Sequence, residues 1–194
     1  MLLLAGALLS QGRLCAAPAQ TNEPLPGFQN PSVRVMVDKA KPMPSTGTFG
    51  WGMCVFRVEA VTNMSLSVID KRLKSAMLDA FTRKGFAFAE EAPDYLVSYA
   101  LAGGAEIDEE ELNRLYGDFL KMPAAPAKEQ DGLHYTRGVL IVDVVDRKAK
   151  HLKWRGAIFA DIDMAWPEAR KQERCNAAIG QLMRYFPLPP DGSI

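Results

Sequence analysis

The stretch from Gly138 to Asp163, GVLIVDVVDRKAKHLKWRGAIFADID, constrains the fold more than any other, because two runs of β-forming residues flank a short basic turn. A turn centred on Lys148 and Ala149 folds them into an antiparallel hairpin, setting Val145 opposite Leu152, Asp143 opposite Trp154 and Ile141 opposite Gly156. This register puts Val139, Ile141, Val145, Leu152, Trp154 and Ile158 on one face with Asp143 among them. Arg155 falls on the other, with Lys153, Leu140, Val142 and Val144. Both faces are apolar, so the hairpin belongs to a sheet covered on both sides rather than one open to water. A buried acceptor without a partner is costly, and the expected partner of Asp143 is the Trp154 indole N–H. Gly156 leaves space for a large ring, and the stem of Arg155 covers aliphatic surface.

Around this hairpin the elements alternate. Val33 to Val37 reads as a first strand, and Met53 to Val58 as the strand-like half of a bent, turn-rich segment. Leu66, Ile69, Leu73, Met77, Ala80 and Phe81 recur at helical spacing over 66–84, with Ser67 and Asp70 spaced as a capping box and Gly85 as terminator. Asp94 to Ala102 is a strand introduced by Pro93. A second helix is expected over 108–120, its Asp108 to Glu111 run complementing the helix dipole, followed by a loop over 121–132. The last helix runs from Pro167 to Phe186 with Cys175, Ala178, Ile179, Leu182 and Phe186 on one face. The order of elements predicts an α+β two-layer sandwich, a largely antiparallel sheet of about four to five strands with helices packed on one face.

The first residues are a different material. Leu2 to Leu9 is an unbroken small and aliphatic run, short for a bilayer span and suited to the core of a secretory leader. Ala17-Pro18-Ala19 fits cleavage before Gln20, although no Lys or Arg precedes the apolar run. Two alternatives stay open: an N-terminal apolar helix of the domain, and lipid attachment at Cys15, whose preceding Gly12-Arg13-Leu14 departs from the usual signal. If Cys15 leaves with the leader, Cys54 and Cys175 remain in an oxidising compartment, either bridged to each other or, in the case of Cys175, buried as a thiol. The expected division is a leader over 1–19, a linker over 20–32, one α+β domain over 33–187 and a tail over 188–194. The 23 basic and 23 acidic residues cancel, which leaves no field to attract nucleic acid or an anionic membrane. The membrane enters only through a lipid anchor at the N-terminus.

Several stretches in order resemble one family: TFGW (Thr48 to Trp51), FTRKGF (Phe81 to Phe86), APDYLVSY (Ala92 to Tyr99), GVLIVDVVD (Gly138 to Asp146), LKWRGAIF (Leu152 to Phe159) and RYFP (Arg184 to Pro187). The chain is similar over about Val33 to Pro187 to the domain-of-unknown-function family 4136. The resemblance implies a bacterial envelope protein, of a group many of whose members are assigned as lipoproteins, and implies no catalytic residues. It carries over a strand-turn-strand with Gly138, Leu140, Asp143, Trp154, Arg155 and Gly156.

Other candidate chemistry is sparse. His134 and His151 are the only histidines and no zinc-like spacing occurs. Asp161 and Asp163 share one strand face, where a charged strand end and a hard-cation site are the two readings. The function expected is therefore an exported, periplasmic or secreted protein without cofactor, acting as a non-catalytic binding or structural module toward an envelope protein. One rival is a small-ligand binder using the loop over 121–132, and another is an enzyme using Asp143 or the Asp161 and Asp163 pair.

Overall fold

The computed structural model describes residues 19–20, 28–58, 66–103, 116, 135–163 and 166–187. Its strands are β1 (Ala19–Gln20), β2 (Phe28–Val37), β3 (Gly47–Val58), β4 (Phe86–Phe88), β5 (Tyr95–Gly103), β6 (Tyr135–Asp146) and β7 (His151–Asp163). Helix α1 spans Leu66–Arg83, and α2 (Lys171–Met183) is entered through a 3-10 turn at Glu168–Arg170. The strands form one sheet in the order β1-β2-β7-β6-β5-β3-β4, six strands with the two-residue β1 added at an edge.

The α+β class is as expected, but the sheet is larger than four to five strands and it is mixed. β2, β7, β6 and β5 are antiparallel neighbours, whereas β3 runs parallel to both β5 and β4. The reason lies in α1: a helix carries the chain back along the sheet, so the strands on either side of it enter in the same direction. β4 is three residues long, too short to leave a periodic signal. β2 begins at Phe28 rather than Val33, inside the segment expected to be linker, and its register with β7 slips between Gln29 and Ser32, around Pro31. A ladder tolerates proline at such an irregularity. Ala19–Gln20, where the leader was expected to end, pairs with Val33 and Ser32.

Helix α1 buries Leu73, Ala76, Met77, Ala80 and Phe81 and stops at Gly85, whose φ of +86° is the left-handed conformation glycine adopts without strain. Together with α2 it covers one face of the sheet. There the core is aromatic: Phe49, Phe81, Phe86, Trp154 and Phe186 are almost wholly buried and meet edge to face or tilted. A separate cluster of Ala100, Ala102, Val139, Ile141, Ala157 and Phe159 lies on the opposite face. The helix expected over 108–120 and the loop over 121–132 lie outside the described residues, apart from Tyr116, as do Cys15, His134 and the tail.

The hairpin turn is centred as expected, with Asp146 paired to His151 and Val145 to Leu152. Asp146 Oδ1 accepts from the amides of Lys148 and Ala149, which closes the turn. One residue further the ladder slips: Val144 pairs with Trp154, leaving Lys153 as the extra residue of a β-bulge. From there on every partner differs from the sequence expectation. Asp143 faces Arg155, Val142 faces Gly156 and Ile141 faces Ala157. Trp154 and Ile158 therefore join Leu140, Val142 and Val144 on the helix side, and Asp143 shares the opposite face with Val139 and Ile141. The bulge is held by its own side chain, because Lys153 Nζ donates to Asp38 Oδ2 at 2.9 Å and to Lys41 O at 2.7 Å.

Candidate functional site

Asp143 and Arg155 are cross-strand partners on the face away from the helices, and they form a two-pronged ion pair. Arg155 Nε donates to Asp143 Oδ1 and Nη2 to Oδ2, both at 2.6 Å. The pair is mostly withdrawn from water, with side chains 15% and 18% exposed. The ring of Tyr116 lies over the guanidinium, 4.8 Å from centroid to carbon. Burial alone would lower the Arg155 pKa, but the hydrogen bonds and charge of Asp143 hold it above its usual value. Burial, followed by the Asp143 charge, pushes the Tyr116 hydroxyl up.

The ladder extends this pair into a row across the sheet: Ser98 beside Asp143, Asp143 beside Arg155, Arg155 beside Met36. Ser98 Oγ accepts the Met53 amide at 3.1 Å, at the point where β3 slips against β5. The next row, Ala100, Ile141 and Ala157, is apolar and buried. Chemically the arrangement is a neutralised pair set into an apolar surface. Both carboxylate oxygens are taken by one guanidinium, so Asp143 is placed as a fixed acceptor.

The indole expected to serve Asp143 has another partner. Trp154 Nε1–H donates to Tyr185 O at 2.9 Å, and its ring packs against Phe186 with centroids 5.1 Å apart. Gly156 makes room for this ring, since a Cβ built there would lie 2.3 Å from Trp154 Cη2. Of the four residues singled out in the hairpin, the structure thus brings Asp143 and Arg155 together on one face and Trp154 and Gly156 on the other.

Three more polar groups recruit partners from distant parts of the chain. Asp70, expected to cap α1, instead accepts from the Tyr99 hydroxyl and from Lys74 Nζ at 2.9 Å. Burial would raise its pKa, but Tyr99 and Lys74 hold it below the ordinary carboxylate value. Burial first, and the Asp70 hydrogen bond next, push Tyr99 upward. Asp94 accepts from the Thr48 amide at 3.0 Å and the Thr48 hydroxyl at 2.7 Å, and its own amide donates back to Thr48 Oγ1 at 2.9 Å. The stretches TFGW and APDY, far apart in sequence, are thereby tied where β3 and β5 begin. Asp38, the partner of Lys153, also lies 3.3 Å from His151 Nε2; burial would raise its pKa, but the hydrogen bond from Lys153, the Lys41 amide and the Lys153 charge hold it below the ordinary carboxylate value.

Cys54 and Cys175 are both free thiols, Cys54 exposed on β3 and Cys175 half-buried on α2, where burial pushes its pKa up. Of the two readings left open, a bridge or separate thiols, the structure holds the separate thiols. Asp161 stands opposite Arg137 across β6 and β7, and the main-chain carbonyl of Asp163 accepts from Arg174. Among the described residues no three His, Cys, Asp or Glu side chains converge as they would around a metal ion.

Sequence reasoning found Asp143 and Arg155 but passed over Ser98 and Tyr116. Ser98 carries one signal, as the single small polar residue inside the strand YLVSYALA. Tyr116 falls within the helix expected over 108–120, where nothing in the sequence sets it apart.

Among solved structures the chain is similar to a PelC dodecamer from Paraburkholderia phytofirmans, with 7% identity over 79% of this chain and 94% of that one and a TM-score of 0.45. It is also similar to a homolog of the neuraminyllactose-binding hemagglutinin from Helicobacter pylori, at 12% identity over 75% and 85% of the two chains with a TM-score of 0.40. A third is protein XCC0632 from Xanthomonas campestris, at 12% identity over 73% and 84% with a TM-score of 0.36. No curated protein matches the chain in sequence. The resemblance read from the ordered stretches is met by a family model matching residues 33–188, and the chain belongs to the family described as Domain of unknown function (DUF4136).

Proposed function

We propose that this protein is an exported component of the bacterial cell envelope that acts as a non-catalytic binding or structural module. The observation that carries the reading is the engagement of both Asp143 oxygens by Arg155 under the Tyr116 ring. A general base or nucleophile keeps a lone pair within reach of substrate, whereas this carboxylate is committed within the sheet. Asp38, Asp70 and Asp94 are committed in the same way to Lys153, to Tyr99 with Lys74, and to Thr48. Export is supported by the apolar run Leu2 to Leu9 and the Ala17-Pro18-Ala19 site.

The test is expression of the full chain from its own leader in a bacterial host, followed by fractionation and intact mass. A periplasmic or secreted species beginning at Gln20, or an envelope species lipid-modified at Cys15, is the expected result. A cytoplasmic species retaining the leader residues overturns export. Turnover in a hydrolase panel that disappears in Asp143→Asn, with the fold intact, overturns the non-catalytic reading.

A further inference from the structure

The connection between β5 and β6 is long for what it joins. Gly103 and Gly138 are ladder partners, and a tight turn suffices for antiparallel neighbours, yet residues 104–134 intervene before β6 begins at Tyr135. One residue of that connection is described, Tyr116, and its ring lies over Arg155. Arg155 stands in the row of Asp143, so between Gly103 and Tyr116 the chain has travelled back along the sheet by the length of β6 from Gly138 to Asp143, roughly 17 Å. Between the two ends of that path lie the rows Ala102-Val139-Phe159 and Ala100-Ile141-Ala157. Their side chains point away from the helices and are only 0% to 7% exposed, although neither described helix lies on that side. Among the described residues, Tyr116 is the one from outside the strands that packs on them.

We propose that residues 104–134 are the partner of this face, docked on it within the same chain with Leu112, Tyr116 and Phe119 toward the two apolar rows and the run Asp108 to Glu111 toward Arg34. Three observations select this occupant over another chain. Tyr116 is already seated, and a segment held at Gly103, Tyr116 and Tyr135 passes over the rows that are buried. At helical spacing Leu112 and Phe119 fall one turn before and one turn after Tyr116, so the seated ring brings two large apolar neighbours to the same surface. Charge agrees as well. The charged side chains described on these rows and the next are Arg34, 5.2 Å from the centre of the Phe159 ring, and the Asp143 and Arg155 pair, which leaves the face one positive charge. Residues 104–134 carry eight acidic and three basic residues, so face and segment attract. Filled from within, this face offers no surface to an outside partner, whether or not the protein is exported.

The experiment uses the full chain with Ala157→Cys as its sole thiol, through Cys15→Ser, Cys54→Ser and Cys175→Ala, and follows maleimide labelling of the folded protein at several protein concentrations. A companion chain that keeps only Cys54, which is exposed, gives the rate for an open thiol. The expected result is labelling of the Ala157→Cys thiol at least about a hundredfold slower than that, equal at every protein concentration, and at least about tenfold faster once Phe119→Asp is added with the circular dichroism spectrum retained. Labelling as fast as that of the open thiol overturns the proposal. Protection that grows with protein concentration gives the face to a second copy, and protection that neither Phe119→Asp nor Leu112→Asp changes gives it to another part of the chain; both overturn it. If the two charged variants fail to fold, carbodiimide coupling of the chain carrying Arg34→Lys decides. An amide bond within one chain, from the introduced lysine to a carboxylate of residues 104–118, is expected, and its absence overturns the proposal.

Discussion

The two faces of the sheet use the same strands for different packing. Toward the helices the strands present large rings, and the one buried indole N–H described there is given to a main-chain carbonyl, that of Tyr185. Away from the helices they present mostly small and aliphatic residues with one ring, Phe159, and a charged pair set between Ser98 and Met36. The first face gets specificity from shape, since Gly156 is hollowed to fit Trp154. The second gets it from charge, since Asp143 and Arg155 meet as a two-pronged pair inside an apolar surface. A residue on the first face is therefore sensitive to volume and one on the second to its partner.

That contrast can be broken at four places. Trp154→Ala empties the centre of the helix-side core and orphans the Tyr185 carbonyl. It is expected to cost about 3–5 kcal/mol, read by denaturant unfolding. Asp143→Ala removes the two-pronged acceptor of Arg155 beneath Tyr116 and is expected to cost about 1–3 kcal/mol. Asp143→Leu combined with Arg155→Met is expected to recover much of that loss, because removing both charges is milder than stranding one. A double variant less stable than Asp143→Ala would show that the second face is governed by volume after all.

Gly156→Ala drives a methyl into the indole and is expected to cost about 1–3 kcal/mol, with a change in tryptophan fluorescence. Trp154→Leu in that background should remove part of the penalty, and full additivity of the two changes would separate Gly156 from the ring.

The smallest effect is a pH dependence. Asp38 and Asp70 have folded-state pKa values below the ordinary carboxylate value. Their contribution is therefore complete above the unfolded-state pKa and is lost as pH falls through the folded-state value. Stability should decline on the acid side, and Asp70→Asn should make that decline shallower in urea unfolding measured across acidic pH.

Much of this was legible in the sequence. Helix α1 was visible because six apolar residues repeat at its period, and the ends of the hairpin because Asp146 and the basic turn punctuate two β runs. Asp143, Arg155, Trp154 and Gly156 stood out as polar, bulky or small residues in apolar runs. Their partners did not. Alternation within a strand says which residues share a face of that strand, but it holds no information on the phase of one strand against the next. A single bulged residue, Lys153, reverses that phase, and the reason for the bulge lies in Asp38 and Lys41, more than a hundred positions away.

The same limit explains the other departures. The pairing of TFGW with APDY through Thr48 and Asp94, the placement of β3 parallel to β5, and the seating of Tyr116 on Arg155 all join segments distant along the chain. What the sequence by itself determined was local: the amphipathic helices, the alternating strands, the turn at Lys148 and Ala149, and membership of a family through the order of its stretches. Strand order, the mixed direction of the sheet, the bulge at Lys153 and the choice of partner for each buried charge were decided only in the tertiary structure. There the requirement that each buried polar group find a partner selects one register among several that local alternation leaves equal.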